Sequence, residues 1–173
     1  MKKHILVTVT NDLAYDRRMI KTCNSLIDMG FEVALIGFER EQSTSLPQQR
    51  YTQKRLTLFF QKGKLSYLEI TIRLWWYIIF HKHDIHLAVD MDTLVSGYMA
   101  RVFTRKIIVY DAHEYFSEVP ELAHRPMTKY IWKLTERWIL PTIQIKYTVS
   151  EGLARLYADN NLGEFKIVRN VPY

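Results

Sequence analysis

Lys106-Ile107-Ile108-Val109-Tyr110-Asp111-Ala112-His113-Glu114-Tyr115-Phe116 is the stretch that decides the fold. Ile107, Ile108 and Val109 form a β-branched run without polar alternation, the pattern of a strand buried on both faces of a parallel sheet. The run leads straight into Asp111, His113 and Glu114. In an open α/β sheet, ligands bind beyond the carboxyl ends of the strands. The chain therefore sets a titratable cluster where such folds do their chemistry. The competing reading is a helix cap followed by solvated acids, and a strand-end His between two acids is a stronger pattern than that.

Working outward, strands and helices alternate. Residues 4–10 read as a strand, and 15–29 as a helix with Asn11 and Asp12 as caps and Gly30 as its stop. Residues 31–37 are a second strand, and 39–53, polar with Pro47 in the middle, a long loop. A third strand is expected at 55–60, a long helix at 65–81, a strand at 84–90 and a helix at 92–103 with an acidic first turn. The opening strand covers 106–110. A helix at 126–140 has Pro126 at its start and Pro141 beyond its end. A strand at 143–149, a helix capped by Ser150 and running to about Asn160, and a strand at 165–169 complete the pattern. The expectation is a Rossmann-like α/β fold: one domain over 1–173, with a doubly wound parallel sheet and helices on both faces. The sequence stops at Tyr173 just after a strand, which reads as a boundary cut through a longer polypeptide.

Bulk properties narrow the partners. A formal charge of +6 and a pI near 9.4 suit an anionic partner. No Lys/Arg tract stands out, which argues against a dedicated nucleic-acid reader. A single cysteine, Cys23, excludes an internal disulfide framework and suits a reducing, cytoplasmic setting. Its place in an early helix reads as core rather than nucleophile. After Met1-Lys2-Lys3 the apolar run is only Ile5 to Val9, so no signal peptide is read there. The longest apolar stretch, 65–80, is broken by Glu69 and Arg73 and falls short of a membrane span.

The first strand–helix turn, Thr10-Asn11-Asp12-Leu13-Ala14-Tyr15-Asp16-Arg17-Arg18, contains no glycine. Both the dinucleotide fingerprint and the P-loop are absent. Side chains are offered in their place: Asn11 and Asp12 to hydroxyls, Arg17 to an anion or to Asp16. A capped helix with a local Asp–Arg pair explains the same residues equally well. Asp90 and Asp92 share the sheet edge of His113. Two carboxylates without a third ligand are a weak metal signal, and capping explains Asp92 better. His81, His83 and His86 match no zinc spacing, and a helix-to-strand junction scatters them. No metal is expected.

The helix at 65–81 carries two apolar stripes. Leu65, Leu68, Ile72, Trp75, Trp76 and Ile79 make one; Tyr67, Ile70, Leu74, Tyr77 and Ile78 make the other. A sheet-packed helix needs one. The second must meet a neighbouring helix, another subunit or a membrane interface, and neighbouring helices are the favoured cover. The nearby Lys62, Lys64, Arg73 and Lys82 also suit interfacial attachment, peripheral at the inner face of the plasma membrane.

Taken in order and spacing, these segments resemble the amino-terminal half of GT-B glycosyltransferases of the family-4-like retaining group. The resemblance is carried by Thr10-Asn11-Asp12 with Tyr15-Asp16-Arg17-Arg18, by Asp90-Met91-Asp92-Thr93-Leu94, and by Tyr110-Asp111-Ala112-His113-Glu114. Thr148-Val149-Ser150-Glu151 and Val168-Arg169-Asn170-Val171-Pro172 extend it. The chain departs from the glycine-rich first turn common in that family.

The resemblance implies a two-domain enzyme with its site in the interdomain cleft. This half chiefly binds the acceptor, a glycan or a lipid-linked molecule. A carboxyl-terminal half, absent here, binds the nucleotide-sugar donor. The implied reaction moves a sugar from a nucleoside diphosphate to an acceptor hydroxyl with retention, as in polysaccharide biosynthesis, with no metal or other cofactor and no protein nucleophile. The donor phosphate helps to take the acceptor proton. His113 maps onto the family's His near the donor sugar and would stabilise developing oxocarbenium charge by hydrogen bonding. Glu114 would orient His113 or meet the acceptor, and Asp111 would fix the turn. Asn11, Asp12, Arg17, Asp90 and Asp92 would complete the substrate site. The fragment alone is expected to be inactive. The alternatives are a GT-B sugar-nucleotide epimerase or hydrolase, and a non-catalytic membrane-anchoring subunit of a split glycosyltransferase.

Overall fold

The computed structural model describes residues 2–14 and 16–169. Tyr15, the expected first residue of the first helix, and residues 170–173, at the expected boundary, lie outside them. Among the described residues seven parallel strands form one sheet, in the order β3-β2-β1-β4-β5-β6-β7. They are β1 (His4–Thr8), β2 (Glu32–Phe38), β3 (Thr52–Leu56), β4 (Ile85–Val89), β5 (Ile107–Ala112), β6 (Ile145–Thr148) and β7 (Lys166–Ile167). The helices are α1 (Arg17–Asp28), α2 (Lys64–Phe80), α3 (Asp90–Thr104), α4 (Pro126–Ile139) and α5 (Glu151–Asp159). This is the Rossmann-like doubly wound order, and its direction reverses between β1 and β4.

Period-2 alternation sends β1 side chains to two cores. Ile5, Val7 and Val9 join Met19 and Cys23 of α1. Leu6 joins Ile36 and Phe38 of β2 and Ile70, Leu74 and Ile78 of α2. Burying Leu74 completely removes enough apolar area to contribute about 2 kcal/mol. Cys23 belongs to this core as well, and burial pushes its thiol up to about 12. A third core, under α4 and α5, holds Tyr110, Tyr157 and Phe165. The last two rings stack 4.1 Å apart.

Several expectations are corrected. The third strand lies at Thr52–Leu56, not 55–60. Its sequence, TQKRL, is polar because it is the edge of the sheet, where charged residues guard the open backbone. Asn11 and Asp12 do not cap α1. Asp16 does, its carboxylate accepting from Met19 N at 3.0 Å. Gly30, at φ +92°, ends that helix as expected, because only glycine takes this conformation freely.

The central strand extends past Tyr110 to Ala112, because Asp111 and Ala112 pair with Tyr147 and Thr148 of β6. α3 starts at Asp90, directly after β4, rather than at Asp92. On α2 only one line of residues goes inward: Ser66, Ile70, Leu74 and Ile78. α3 meets α2 with small residues, Ser96 and Ala100, and Ser96 Oγ donates to Thr71 O at 3.2 Å. Of the stripe that starts at Leu65, Leu68, Ile72 and Trp76 remain exposed with Leu65, as does Phe80 beyond it. Neighbouring elements cover only its edge, where Trp75 and Ile79 are half-buried and Trp75 meets Phe103 of α3. No helix among the described residues is long and apolar enough to cross a membrane.

Candidate functional site

The carboxyl ends of β1, β4 and β5 converge at the point where strand order reverses. β5 delivers Asp111, 1% exposed, with its carboxylate beside the start of α1. Arg18 Nη2 donates to Asp111 Oδ1 at 2.7 Å. Tyr147, its register partner on β6, is also beside this carboxylate; burial and then Asp111 push the phenol far up. Two residues on, His113 stands between two acids. Its Nε2 is 3.1 Å from Asp111 Oδ2 and its Nδ1 3.6 Å from Asp90 Oδ2. The backbone N–H of His113 donates to Asp90 Oδ1 at 3.0 Å.

Asp90 bridges β4 to β5 by this bond, and it does so from a left-handed conformation, φ +61°. Asp tolerates that region better than most residues, yet it remains an uncommon one. Burial raises the Asp90 pKa, and the neighbouring His113 opposes the rise.

Asp111 Oδ2 and His113 Nε2 approach each other without hydrogen-bond alignment, and the Tyr147 hydroxyl also bonds the Asp111 carboxylate. An acid–imidazole pair at a sheet's carboxyl edge, with the ring itself part-exposed, has the chemistry to bind hydroxyl groups.

Asp92 is 8% exposed in the first turn of α3. It accepts from Thr93 N at 2.9 Å and from the Thr10 hydroxyl. Burial, and after it the charge of Asp90, pushes its carboxyl up to about 7. Asp92 and Glu114 both line a cleft of about 740 Å3 between the amino-terminal ends of α2 and α4. Glu136, 1% exposed on α4, accepts from Ser117 N at 3.0 Å and holds the loop after β5 against that helix.

Asp90, Asp111 and His113 thus come together at this edge of the sheet. Others do not join them. Glu114 is exposed and makes no ion pair or hydrogen bond with His113 among the described residues; Asp90 and Asp111 flank that ring instead. The carbonyl of Glu114 accepts from Tyr157 Oη at 2.8 Å, which fixes its backbone. Arg17 neither reaches the cluster nor orients Asp16, which is engaged in capping; it is exposed, and Arg18 makes the contact. Asp12 is spent internally: it accepts from Ala14 N, from Ser43 Oγ and from Arg55. Those partners hold its pKa low against the effect of burial. Asn11 is exposed, and its carbonyl accepts from Phe38 N at 3.3 Å.

The three histidines do not converge. His86 Nε2 is 2.9 Å from Thr8 Oγ1, and His83 Nδ1 is 2.7 Å from His81 O. No group of three His, Cys, Asp or Glu among the described residues is placed to hold a metal ion.

No protein-family model and no curated protein sequence matches the chain. Solved structures do. Sucrose-phosphate synthase from Thermosynechococcus elongatus superposes with a TM-score of 0.71 at 12% identity, over 97% of this chain and 48% of that one. A shorter piece of the same enzyme gives 0.66 at 11%, over 99% and 89%. UDP-GlcNAc 2-epimerase from Methanocaldococcus jannaschii gives 0.58 at 14%, over 98% and 45%. The chain spans about half the length of the full-length enzymes it matches. Both enzymes have the GT-B fold, and this chain has the fold of a GT-B Rossmann-like domain.

Proposed function

We propose that the chain is the acceptor-side domain of a two-domain glycosyltransferase. That enzyme moves a sugar from a nucleoside diphosphate to an acceptor hydroxyl, with retention. The observation that supports this reading best is the Asp111–His113 pair at the switch point, braced by Arg18 and Asp90. A sugar hydroxyl held by the part-exposed His113 imidazole would be fixed in a desolvated site, where a preorganised donor or acceptor acts far more strongly than in water. Asp90 holds the His113 backbone, so the imidazole is positioned before substrate arrives. Arg18 compensates the buried Asp111 charge.

The second domain binds the donor, and this chain alone does not turn over. No metal or other cofactor takes part. The exposed α2 face, Leu65, Leu68, Ile72, Trp76 and Phe80, rests on the cytoplasmic surface of an anionic membrane, with Lys62, Lys64 and Lys82 at its ends. Incubating the two-domain protein with labelled nucleotide sugars and following label into an acceptor tests the reading. Interconversion of the nucleotide sugar without transfer would instead favour an epimerase, the reading favoured by the likeness to UDP-GlcNAc 2-epimerase.

A further inference from the structure

We propose that the cleft between α2 and α4 is built for a lipid-type amphiphile: an apolar chain, an anionic phosphate and a hydroxyl-bearing headgroup. The inference rests on the glycosyltransferase reading and names the acceptor class that this half would hold.

The cleft encloses about 740 Å3, well within the range of about 300–1,000 Å3 usual for small-molecule sites. Its walls are Leu68 of α2 and Met127, Ile131 and Trp132 of α4. Leu68, Met127 and Ile131 are 57%, 72% and 55% exposed, so the protein itself leaves this surface uncovered. A free glycan offers little apolar area to such walls, whereas a hydrocarbon chain removes them from water at roughly 25 cal/mol per Å2.

The charged groups of the cleft fall into two sets of opposite sign. Lys64 and Arg125 line it, both are exposed, and neither makes an ion pair among the described residues. They complement a phosphate. Asp92 and Glu114 repel a phosphate and accept from hydroxyl groups. The charge of Asp90, which faces His113 at 3.6 Å, also acts on Asp92, so a headgroup held at Asp92 lies near the centre where a sugar would be transferred. A carboxyl titrating near neutrality beside a bound hydroxyl is also suited to share its proton.

The apolar lining continues outside the cleft. Leu68 also borders a shallow apolar groove formed with Phe59, Phe60, Leu65 and Ile72. A chain leaving the cleft over Leu68 meets the exposed face of α2 without crossing polar surface.

Monomeric dihexanoylphosphatidylglycerol carries all three features and serves as the probe for the full chain. The reporter is the indole N–H of Trp132 in a 1H–15N spectrum, assigned with Trp132→Phe. The expected result is a saturable shift of that signal, with glycerol 1-phosphate binding weaker by about tenfold or more. Ile131→Asp, on an exposed position, and Lys64→Glu with Arg125→Glu should each weaken binding by about the same factor. A probe that leaves the Trp132 signal in place, or binds these folded variants unchanged, overturns the proposal. So does a two-domain enzyme that glycosylates tail-free and tail-bearing acceptors equally well, and that result leaves glycosyl transfer standing. Saturable probe binding with no transfer to any acceptor removes the functional reading and still supports the ligand class of the cleft.

Discussion

Arg18 and Asp111, 93 residues apart in sequence, meet in a 2.7 Å hydrogen-bonded ion pair, with 18% and 1% of their side chains exposed. The pair ties the first turn of α1 to β5 across the strand-order reversal. Removing Arg18 leaves a buried carboxylate with only the His113 ring and the Tyr147 hydroxyl beside it. Arg18→Met should therefore destabilise the fold by about 3 kcal/mol, near the lower end of the cost of breaking a buried pair. Asp111→Asn should cost less, and the double variant should cost less than the sum of the two. Urea unfolding of the three proteins measures this. Additive costs would show that the two side chains do not depend on each other.

His113 should matter to turnover and little to stability. Its structural contribution runs through the backbone N–H to Asp90 Oδ1, which survives removal of the ring. In the two-domain enzyme, His113→Ala should lower kcat by about 100-fold or more, the scale of losing one preorganised hydrogen-bonding group. Thermal unfolding and circular dichroism should be close to those of the parent. Unchanged kcat would take His113 out of the site.

Much of this was legible in the sequence, for physical reasons. A fully apolar β-branched run such as Ile107-Ile108-Val109 has few ways to be buried, and the acids and His that follow a parallel strand must lie at its carboxyl edge. What escaped depended on angles and on partners. Successive residues on a helix differ by about 100°, so Arg17 and Arg18 point to different surroundings although their sequence environment is the same. On α2 both stripes are apolar, and the choice between them was made by Ser96 and Ala100 on α3, whose small side chains admit Ile70, Leu74 and Ile78. Asp12 looked free until Ser43 and Arg55, distant in sequence, closed on it.

Two buried groups should pull stability in opposite directions with pH. Asp92 has a folded pKa of about 7 against an ordinary 3.8, so the folded state binds its proton more tightly. Its contribution is complete below about pH 4 and is lost as pH rises to about 7. His86 has a folded pKa of about 3 against an ordinary 6.5, because burial excludes its charged form. Its contribution is complete above about pH 6.5 and is lost as pH falls toward 3. Each effect amounts to a few kcal/mol, at about 1.4 kcal/mol per unit. Relative to the parent, Asp92→Asn should gain stability between about pH 4.5 and pH 7, and His86→Gln should lose it between about pH 4.5 and pH 6.5. Parallel stability–pH curves for parent and variants would contradict both assignments.

The two faces of α2 should separate fold from attachment. Trp76 and Phe80, 58% and 68% exposed, lie with ring centroids 4.7 Å apart on the outer face. Replacing both by Glu should change stability by less than about 1 kcal/mol, since neither fills a core. Leu74→Ala on the inner face should cost about 2–5 kcal/mol. Flotation with anionic phospholipid vesicles should show the opposite ranking, with the double Glu variant losing binding and Leu74→Ala keeping it. Equal flotation of parent and double Glu variant would show that this face does not meet the bilayer.

Gly97 should be irreplaceable for a reason confined to one neighbour. A Cβ built there would lie 2.3 Å from both Cε1 and Nδ1 of the His86 ring, far inside contact distance. The ring has nowhere to go, because it is 1% exposed and its Nε2 is held 2.9 Å from Thr8 Oγ1 in the centre of the sheet. Gly97→Ala must therefore push α3 away from β4 or break the His86–Thr8 contact. Overpacking of this kind costs about 1–3 kcal/mol, against the gain of about 1 kcal/mol that alanine brings to a helix interior, so a net loss of up to about 2 kcal/mol is expected. Because α3 begins at Asp90, a displacement of the helix should also weaken the Asp90–His113 bond, so the two-domain enzyme should lose activity along with stability. Removing the obstacle should reverse the effect: Gly97→Ala combined with His86→Ala should be more stable than expected from the sum of the single changes. Chemical denaturation of the four proteins in the cycle decides it, and simple additivity would show that the His86 ring is not what keeps position 97 empty.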